Sequence, residues 1–314
     1  MKKQFPILFL LFFTFSFFQN NLFAQRDYSK VEIKAEQVAD NIYMLTGSGG
    51  NIGVVVGDDG IFMIDSQYGP LSEKIAEAIG KLSSQPIKYL FNTHWHGDHT
   101  GGNENFGKKG AVIVAHENVK TRMSTEQIRP FRKPTPAAAE IAQPVITFKN
   151  NMKFHLNGED ILIYHFHSGH TDGDAFVYFP KSNVLHMGDN FFKGRFPYID
   201  LGSGGSVEGA LKNINEALFL VDSDTKIIPG HGVLANKEDL MEYRDIIIIS
   251  RDRVKKAIAK GMTLEEIKAS NVTKEYDEEW GSGFINPGKF VEILYSDLTR
   301  DEGTEKPKEE EKNK

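Results

Sequence analysis

The sequence predicts an α/β (α+β) protein in which two sheets pack face to face under a cover of helices. Two observations carry this: short apolar runs of strand length recur along the chain between glycine- and aspartate-rich turns, and helix-spaced segments lie between and after them. With 314 residues, 40% of them apolar and 11% aromatic, the chain can bury the core of one large domain or two small ones.

Residues 40–46 and 52–56 read as strands separated by Gly47-Ser48-Gly49-Gly50, and 61–64 as a third strand ending in Asp65. Asp58-Asp59-Gly60 is a hairpin turn signal. Leu71, Ile75, Ala78, Ile79 and Leu82 share a helical face, and the apolar run 87–91 is a buried strand. Further strands fall at 112–115, 145–148, 161–166, 175–179, 184–187 and 226–228, with a helix at 206–220. Pro130, Pro134, Pro136 and Pro144 prevent a continuous element across 125–144, leaving a mobile flap or a plain surface connection. Helical patterns at 237–260, 263–270 and 287–298 make a C-terminal helical region, 237–300, without a metal-ligand motif, which reads as an appendage to a domain spanning 25–236.

The ends differ from the middle. Lys2 and Lys3, an apolar run over 5–18, and Leu22-Phe23-Ala24-Gln25 follow the order of a secretory signal peptide, 1–24, cleaved after Ala24. Leu22 is larger than the small residue usual three positions before the cut, which leaves an uncleaved anchor as the alternative. Export to the periplasm or medium is therefore expected, with no stable membrane anchor once the signal is removed. The lysine- and glutamate-rich residues 301–314 are expected to be disordered. No cysteine is present, so there is neither a disulfide nor a lipid-carrying thiol. Removing 1–24 takes away two lysines and no acid, moving the formal charge from −6 to −8. Such a chain is poorly suited to following a nucleic-acid backbone, and a small-molecule substrate is expected.

The run Thr93-His94-Trp95-His96-Gly97-Asp98-His99-Thr100-Gly101-Gly102 places three imidazoles and a carboxylate within six residues, directly after a strand. Imidazole nitrogen and carboxylate oxygen are ligands of zinc and its first-row neighbours. In extended backbone His94 and His96 fall on one side, while Asp98 and His99, past the Gly97 turn, face a second position. This is geometry for two metals. More ligands are needed than one loop supplies, and three further segments supply them at strand ends: Gly169-His170-Thr171-Asp172-Gly173-Asp174, Gly188-Asp189-Asn190 and Pro229-Gly230-His231-Gly232.

With its His-x-His-x-Asp-His at 94–99, the chain resembles the metallo-β-lactamase-fold hydrolase superfamily over roughly residues 38–235. The resemblance implies an αββα sandwich of two mixed sheets, with the metals at one edge between them. It further implies that His170 joins His94 and His96 on the first metal, that His231 joins Asp98 and His99 on the second, and that Asp189 bridges. Asp65 matches the early aspartate of the superfamily, whose role is to orient a ligand loop. His116, His165, His167 and His186 read as structural histidines and His155 as surface strand. Lys193 and Arg195 either bind a substrate anion or are solvated loop charges, while Tyr198 and the run 202–206 are placed near the pocket by chain proximity alone.

Two divalent ions, zinc first with iron or manganese also accepted by such ligands, hold water between them about 3.5 to 4 Å apart and make hydroxide available near neutrality. Hydrolysis of an ester, thioester, lactone or amide carbonyl by that hydroxide follows, with Asp98 as metal ligand and catalytic orienting group. An aspartate at position 189, where the best-known β-lactamase subclasses carry cysteine, resembles the glyoxalase II and lactonase type. His-Ser-Gly-His-Thr at 167–171, Ser-Asn-Val-Leu at 182–185 and Pro-Gly-His-Gly at 229–232 resemble secreted β-lactamases, so a β-lactam hydrolase is the alternative. A one-iron persulfide dioxygenase-like oxidoreductase is the alternative of another class, and a non-catalytic metal-binding module is a further one. Sequence leaves the oligomeric state open.

Overall fold

Alternating burial along short runs of β-branched and aromatic residues builds two sheets, as the computed structural model shows for residues 27–128 and 134–300. The signal segment 1–24, Pro130 and the tail 301–314 lie outside the described residues. The first sheet has the order β1 (Lys34–Ala39), β2 (Ile42–Thr46), β3 (Ile52–Val55), β4 (Ile61–Ile64), β5 (Ile87–Asn92), β6 (Val112–His116) and β7 (Ile146–Phe148). It is antiparallel from β1 to β4 and parallel from β4 to β7. The second sheet contains β8 (Asn151–Leu156), β9 (Glu159–Tyr164), β10 (Phe176–Phe179), β11 (Val184–Phe192) and β12 (Lys226–His231). It is ordered β12-β11-β10-β9-β8 and is antiparallel except for the β11/β12 pair.

The facing sides of the sheets share one core, in which Ile42, Met44, Phe62, Phe91 and Val114 of the first meet Ile161, Ile163, Val177, Phe179 and Ile228 of the second. Nine helices are present among the described residues: α1 (Ser72–Gly80), α2 (Gly97–Thr100), α3 (Asn103–Lys108), α4 (Glu117–Met123), α5 (Val207–Leu220), α6 (Lys237–Ala259), α7 (Leu264–Ala269), α8 (Asp277–Trp280) and α9 (Pro287–Leu298). α1 buries Ile75, Ala78 and Ile79, and α3 packs on β5 and β6. The far side of the second sheet, through Phe176, Leu185, Met187, Phe191 and Ile227, is covered by α5, α6 and α9. The two mixed sheets flanked by helices are the sandwich the sequence predicts.

Three differences bear on the site. β1 was not expected, because Lys34–Ala39 is polar and largely exposed and its strand state comes from pairing with β2; β8, foreseen only at His155, alternates exposed Asn151, Lys153 and His155 with Met152, Phe154 and Leu156 packed on the core between the sheets. β11 runs on to Phe192 and β12 to His231, so Asp189 and His231 lie inside strands rather than after them. Register shifts at Gly188 and Phe192 accommodate this, Gly188 taking φ +51°, a conformation glycine adopts without strain. The C-terminal helices are no appendage in packing terms: Tyr243, Ile247, Trp280, Phe290 and Leu294 belong to the same core as the second sheet. Burial of each such side chain contributes about 1.5–3 kcal/mol. Val31 opens one compact unit that includes both sheets; Asp27–Lys30, before it, is a turn in which Ser29 N–H donates to Asp27. Among the described residues no helix is long and apolar enough to cross a membrane.

Candidate metal centre

Backbone conformation sorts the ligands of the 94–99 motif. His96 is extended and caps α2, so the chain turns between His96 and Asp98 and sends the side chains either side of Gly97 to different places. His94, His96, His170 and Asp189 present donor atoms that lie within 4.8 Å of one another, and Asp98, His99 and His231 do the same. Asp189 joins the two groups. Its Oδ2 lies 3.8 Å from His94 Nε2 and 3.6 Å from His170 Nε2, while its Oδ1 lies 3.0 Å from His99 Nε2 and 3.4 Å from His231 Nε2. Asp98 Oδ2 is 3.4 Å from His231 Nε2 and 4.0 Å from His99 Nε2. All seven residues singled out from sequence are thus brought together, in the two sets the resemblance implies.

The outer nitrogens of four rings are committed elsewhere. His96 Nε2 donates to Asp200 Oδ2 (2.8 Å), His99 Nδ1 to Asp65 Oδ2 (2.7 Å) and His170 Nδ1 to the Tyr198 carbonyl (2.5 Å). Thr93 Oγ1 donates to Asp65 Oδ2 (2.7 Å) and so accepts from His94 Nδ1 (3.1 Å). Each neutral ring therefore aims a lone pair inward. His96 Nδ1 and His170 Nε2 face each other at 2.8 Å, and His94 Nε2, His99 Nε2 and Asp189 Oδ1 are buried without a hydrogen-bond partner. Lone pairs converging at such distances repel unless a cation sits among them, so the donor set fits divalent cations.

Charge is tightly coupled across the centre: burial opposes a charged His99, yet Asp189 and Asp65 raise it well above the ordinary histidine value. Burial works against ionising the Asp189 carboxyl, but His231, His99 and His94 hold it well below the usual carboxylate range. Asp98 is likewise lowered: burial opposes ionisation, and His231 and His99 outweigh it. Burial disfavours a charged His231, yet Asp189 and Asp98 push it up to about 9. Burial, reinforced by His99, keeps His94 well below the ordinary histidine value. Backbone closes in where a side chain would intrude: a Cβ on Gly230 would stand 2.1 Å from Asp189 Oδ1.

Asp65, at φ +63°, ends β4 and accepts from Thr93 N–H (2.8 Å) as well as from Thr93 Oγ1 and His99 Nδ1, tying the motif loop to the neighbouring parallel strand. Asp200 was not singled out from sequence. Its carboxyl is lowered because His96, then Ser203, outweigh the effect of burial, and it sits 104 residues from the ring it anchors, with no motif to announce it. Asn51, also unforeseen, donates to the carbonyls of Pro229 and Gly232 and holds the His231 segment. The run 202–206 packs under the His170 loop, Asp172 N–H donating to the Ser203 carbonyl and Ser206 N–H to that of Gly169.

The other histidines stay out of both clusters. His116 and His165 stack on each other at 4.0 Å, His167 N–H donates to Asn213, and His155 is exposed on β8. His186 is buried behind the centre; Gly188 N–H donates to its Nδ1. Lys193 is held by Asp239 at 2.6 Å, whereas Arg195 is exposed and forms no ion pair among the described residues. The proline-rich segment carries a bridge between Gln127 and Thr135, and its Ala138 packs by Trp95, beside the motif.

A sandwich with histidines and carboxylates gathered at one edge is a scaffold for metal-dependent chemistry. The family model of the metallo-beta-lactamase superfamily matches residues 45–231, and the chain belongs to that hydrolytic, divalent-metal-using superfamily. Among curated relatives, metallo-beta-lactamase IND-1 of Chryseobacterium indologenes is 25% identical over 197 residues, covering 62% of this chain and 72% of its own. A hydroxyacylglutathione hydrolase of Prochlorococcus marinus is 28% identical over 204 residues, 59% of this chain and 71% of its own. The fold is shared with the inverting sec-alkylsulfatase Pisa1 from Pseudomonas sp. (TM-score 0.64, 18% identity, 84% of this chain), of which this chain spans 50%. It is shared also with a metallo-beta-lactamase from Pontibacter korlensis (TM-score 0.59, 18% identity, 69% of this chain and 99% of that one).

Proposed function

We propose that the protein is an exported, dinuclear zinc hydrolase of a carbonyl substrate, an ester, thioester, lactone or amide. One observation carries this reading: Asp189 divides its two oxygens between two complete ligand sets. His94, His96 and His170 would hold one ion, Asp98, His99 and His231 the other, with Asp189 shared. Divalent cations at such a centre supply Lewis acidity and acidify water. Asp98 has the most accessible side chain of the seven, 25% exposed against 15% for His231, and its ionised carboxylate would orient the attacking water. Asp200 and Asp65 keep the rings of His96 and His99 from turning, which preserves the lone pairs a cation needs. Similarity to two β-lactamases in sequence and fold favours β-lactam hydrolysis as the second reading.

The test is metal content by plasma mass spectrometry on protein beginning at Gln25, with initial rates on nitrocefin, a thioester and a lactone. About two zinc ions per chain and turnover of one of these, lost in Asp98→Asn with folding intact, is the expected result. A single iron without hydrolysis overturns the reading in favour of an oxidoreductase. Amino-terminal sequencing of protein recovered outside the cytoplasm is expected to begin at Gln25; an intact terminus refutes cleavage.

A further inference from the structure

Phe284 presents a ring to solvent, 55% exposed, although the chain on either side is firmly anchored. Trp280 and Ile285 are buried in the core, and the Trp280 carbonyl accepts from Phe196 N–H. An apolar side chain held outward by buried neighbours is a surface kept for contact. Its ring meets Tyr198 edge-on, centroids 5.8 Å apart at 84°. Tyr198 in turn lies nearly parallel to His96 (5.7 Å, 21°) and edge-on to His170 (5.6 Å). These contacts make a continuous aromatic wall from the first ligand cluster outward.

Two cations border the outer end of that wall. Lys289 Nζ stands 4.6 Å above the Phe284 ring, and the stem of Arg195 lies against Gly283, where a Cβ would be 3.4 Å from Arg195 Cδ. Both are exposed, and neither forms an ion pair among the described residues of a chain whose formal charge is −6. Lys193 is different. It lies beside Gly232, next to His231, and is already neutralised by Asp239, whose other oxygen accepts from Asn236 N–H at the start of α6. Positive charge is therefore balanced close to the second cluster and left open beyond the aromatic wall.

We propose that Tyr198, Phe284, Arg195 and Lys289 form a substrate-recognition subsite for acyl compounds whose aromatic or apolar body ends in a carboxylate remote from the scissile carbonyl. The inference rests on the hydrolase reading above and narrows its substrate. The apolar body stacks along Tyr198 and Phe284 while the carboxylate reaches the two cations.

The experiment uses the 4-nitrophenyl esters of 3-(4-carboxyphenyl)propanoate, 3-phenylpropanoate and acetate with zinc-loaded protein, together with calorimetric binding of the free acid 3-(4-carboxyphenyl)propanoate. For the wild type, kcat/KM is expected to fall in that order, the carboxyl group giving about a tenfold preference at low ionic strength that shrinks with salt. In the double variant Arg195→Gln/Lys289→Gln that preference falls to about one and the free acid binds about tenfold more weakly. Phe284→Ala reduces the advantage of phenylpropanoate over acetate about fivefold. Equal affinity of wild type and double variant for the free acid, or no binding by the wild type, overturns the subsite whatever the turnover. Binding that the double variant loses, with none of the esters hydrolysed, leaves the subsite standing and refutes the hydrolase reading.

Discussion

Asp65→Asn separates the two ligand sets, because Asp65 touches one histidine of the second set directly and reaches the first only through Thr93. The native Oδ2 accepts from His99 Nδ1 and Thr93 Oγ1, both at 2.7 Å, and Oδ1 accepts from Thr93 N–H. An isosteric amide keeps the last bond but turns a donor toward the other two. His99 Nδ1 must then accept, which moves its proton to Nε2, the nitrogen facing Asp189 and the second set. A protonated Nε2 is no ligand. Loss of such an outer partner typically weakens metal binding about 10- to 100-fold. Two charge-assisted bonds at roughly 1.5–3 kcal/mol each put the loss of fold stability on the order of 3–6 kcal/mol. Zinc titration against a competing chelator should show one ion bound as in the wild type and the other weakened by that factor, while urea unfolding in excess chelator reports the stability loss alone. Two ions bound with wild-type affinity would refute the tautomer argument and the assignment of His99 with it.

Asp200→Asn is expected to weaken the first ion rather than the second, since it frees the His96 ring; the same titration checks it, and an effect confined to the second ion would contradict the pairing. Gly230→Ala should abolish binding of both ions by forcing Asp189 aside, a Cβ there lying 2.1 Å from its Oδ1, and metal analysis showing two ions per chain would count against Asp189 as the shared ligand. For pH, burial lowers His186 to about 4, partly offset by Asp65, against roughly 6.5 in the unfolded chain. The unfolded state then binds more protons between those values, so this contribution is full above about pH 6.5 and is lost as pH falls toward 4, an effect on the order of 3 kcal/mol. Unfolding of wild type and His186→Gln at pH 4.5 and 7 should show a shallower acid loss in the variant; parallel losses would refute it.

The sequence by itself determined what depends on neighbours along the chain. A strand followed by one turn at Gly97 divides His94 and His96 from Asp98 and His99, and period-two and period-3.6 apolar patterns mark most strands and the long helices, α9 to the residue. Asp189, His170 and His231 were legible through short glycine-flanked motifs behind strands. Tertiary structure decided the rest. Polar β1 becomes a strand only by pairing with β2, and the register shifts that place Asp189 within β11 arise from its parallel match to β12. Asp200 reaches His96 and Phe284 reaches Tyr198 only through packing of loops far apart in the chain, and Lys193 loses its open charge to a carboxylate on α6. Periodicity encodes which face of an element is buried; it carries no record of which distant side chain meets that face, because that is set by how the sheets and helices pack.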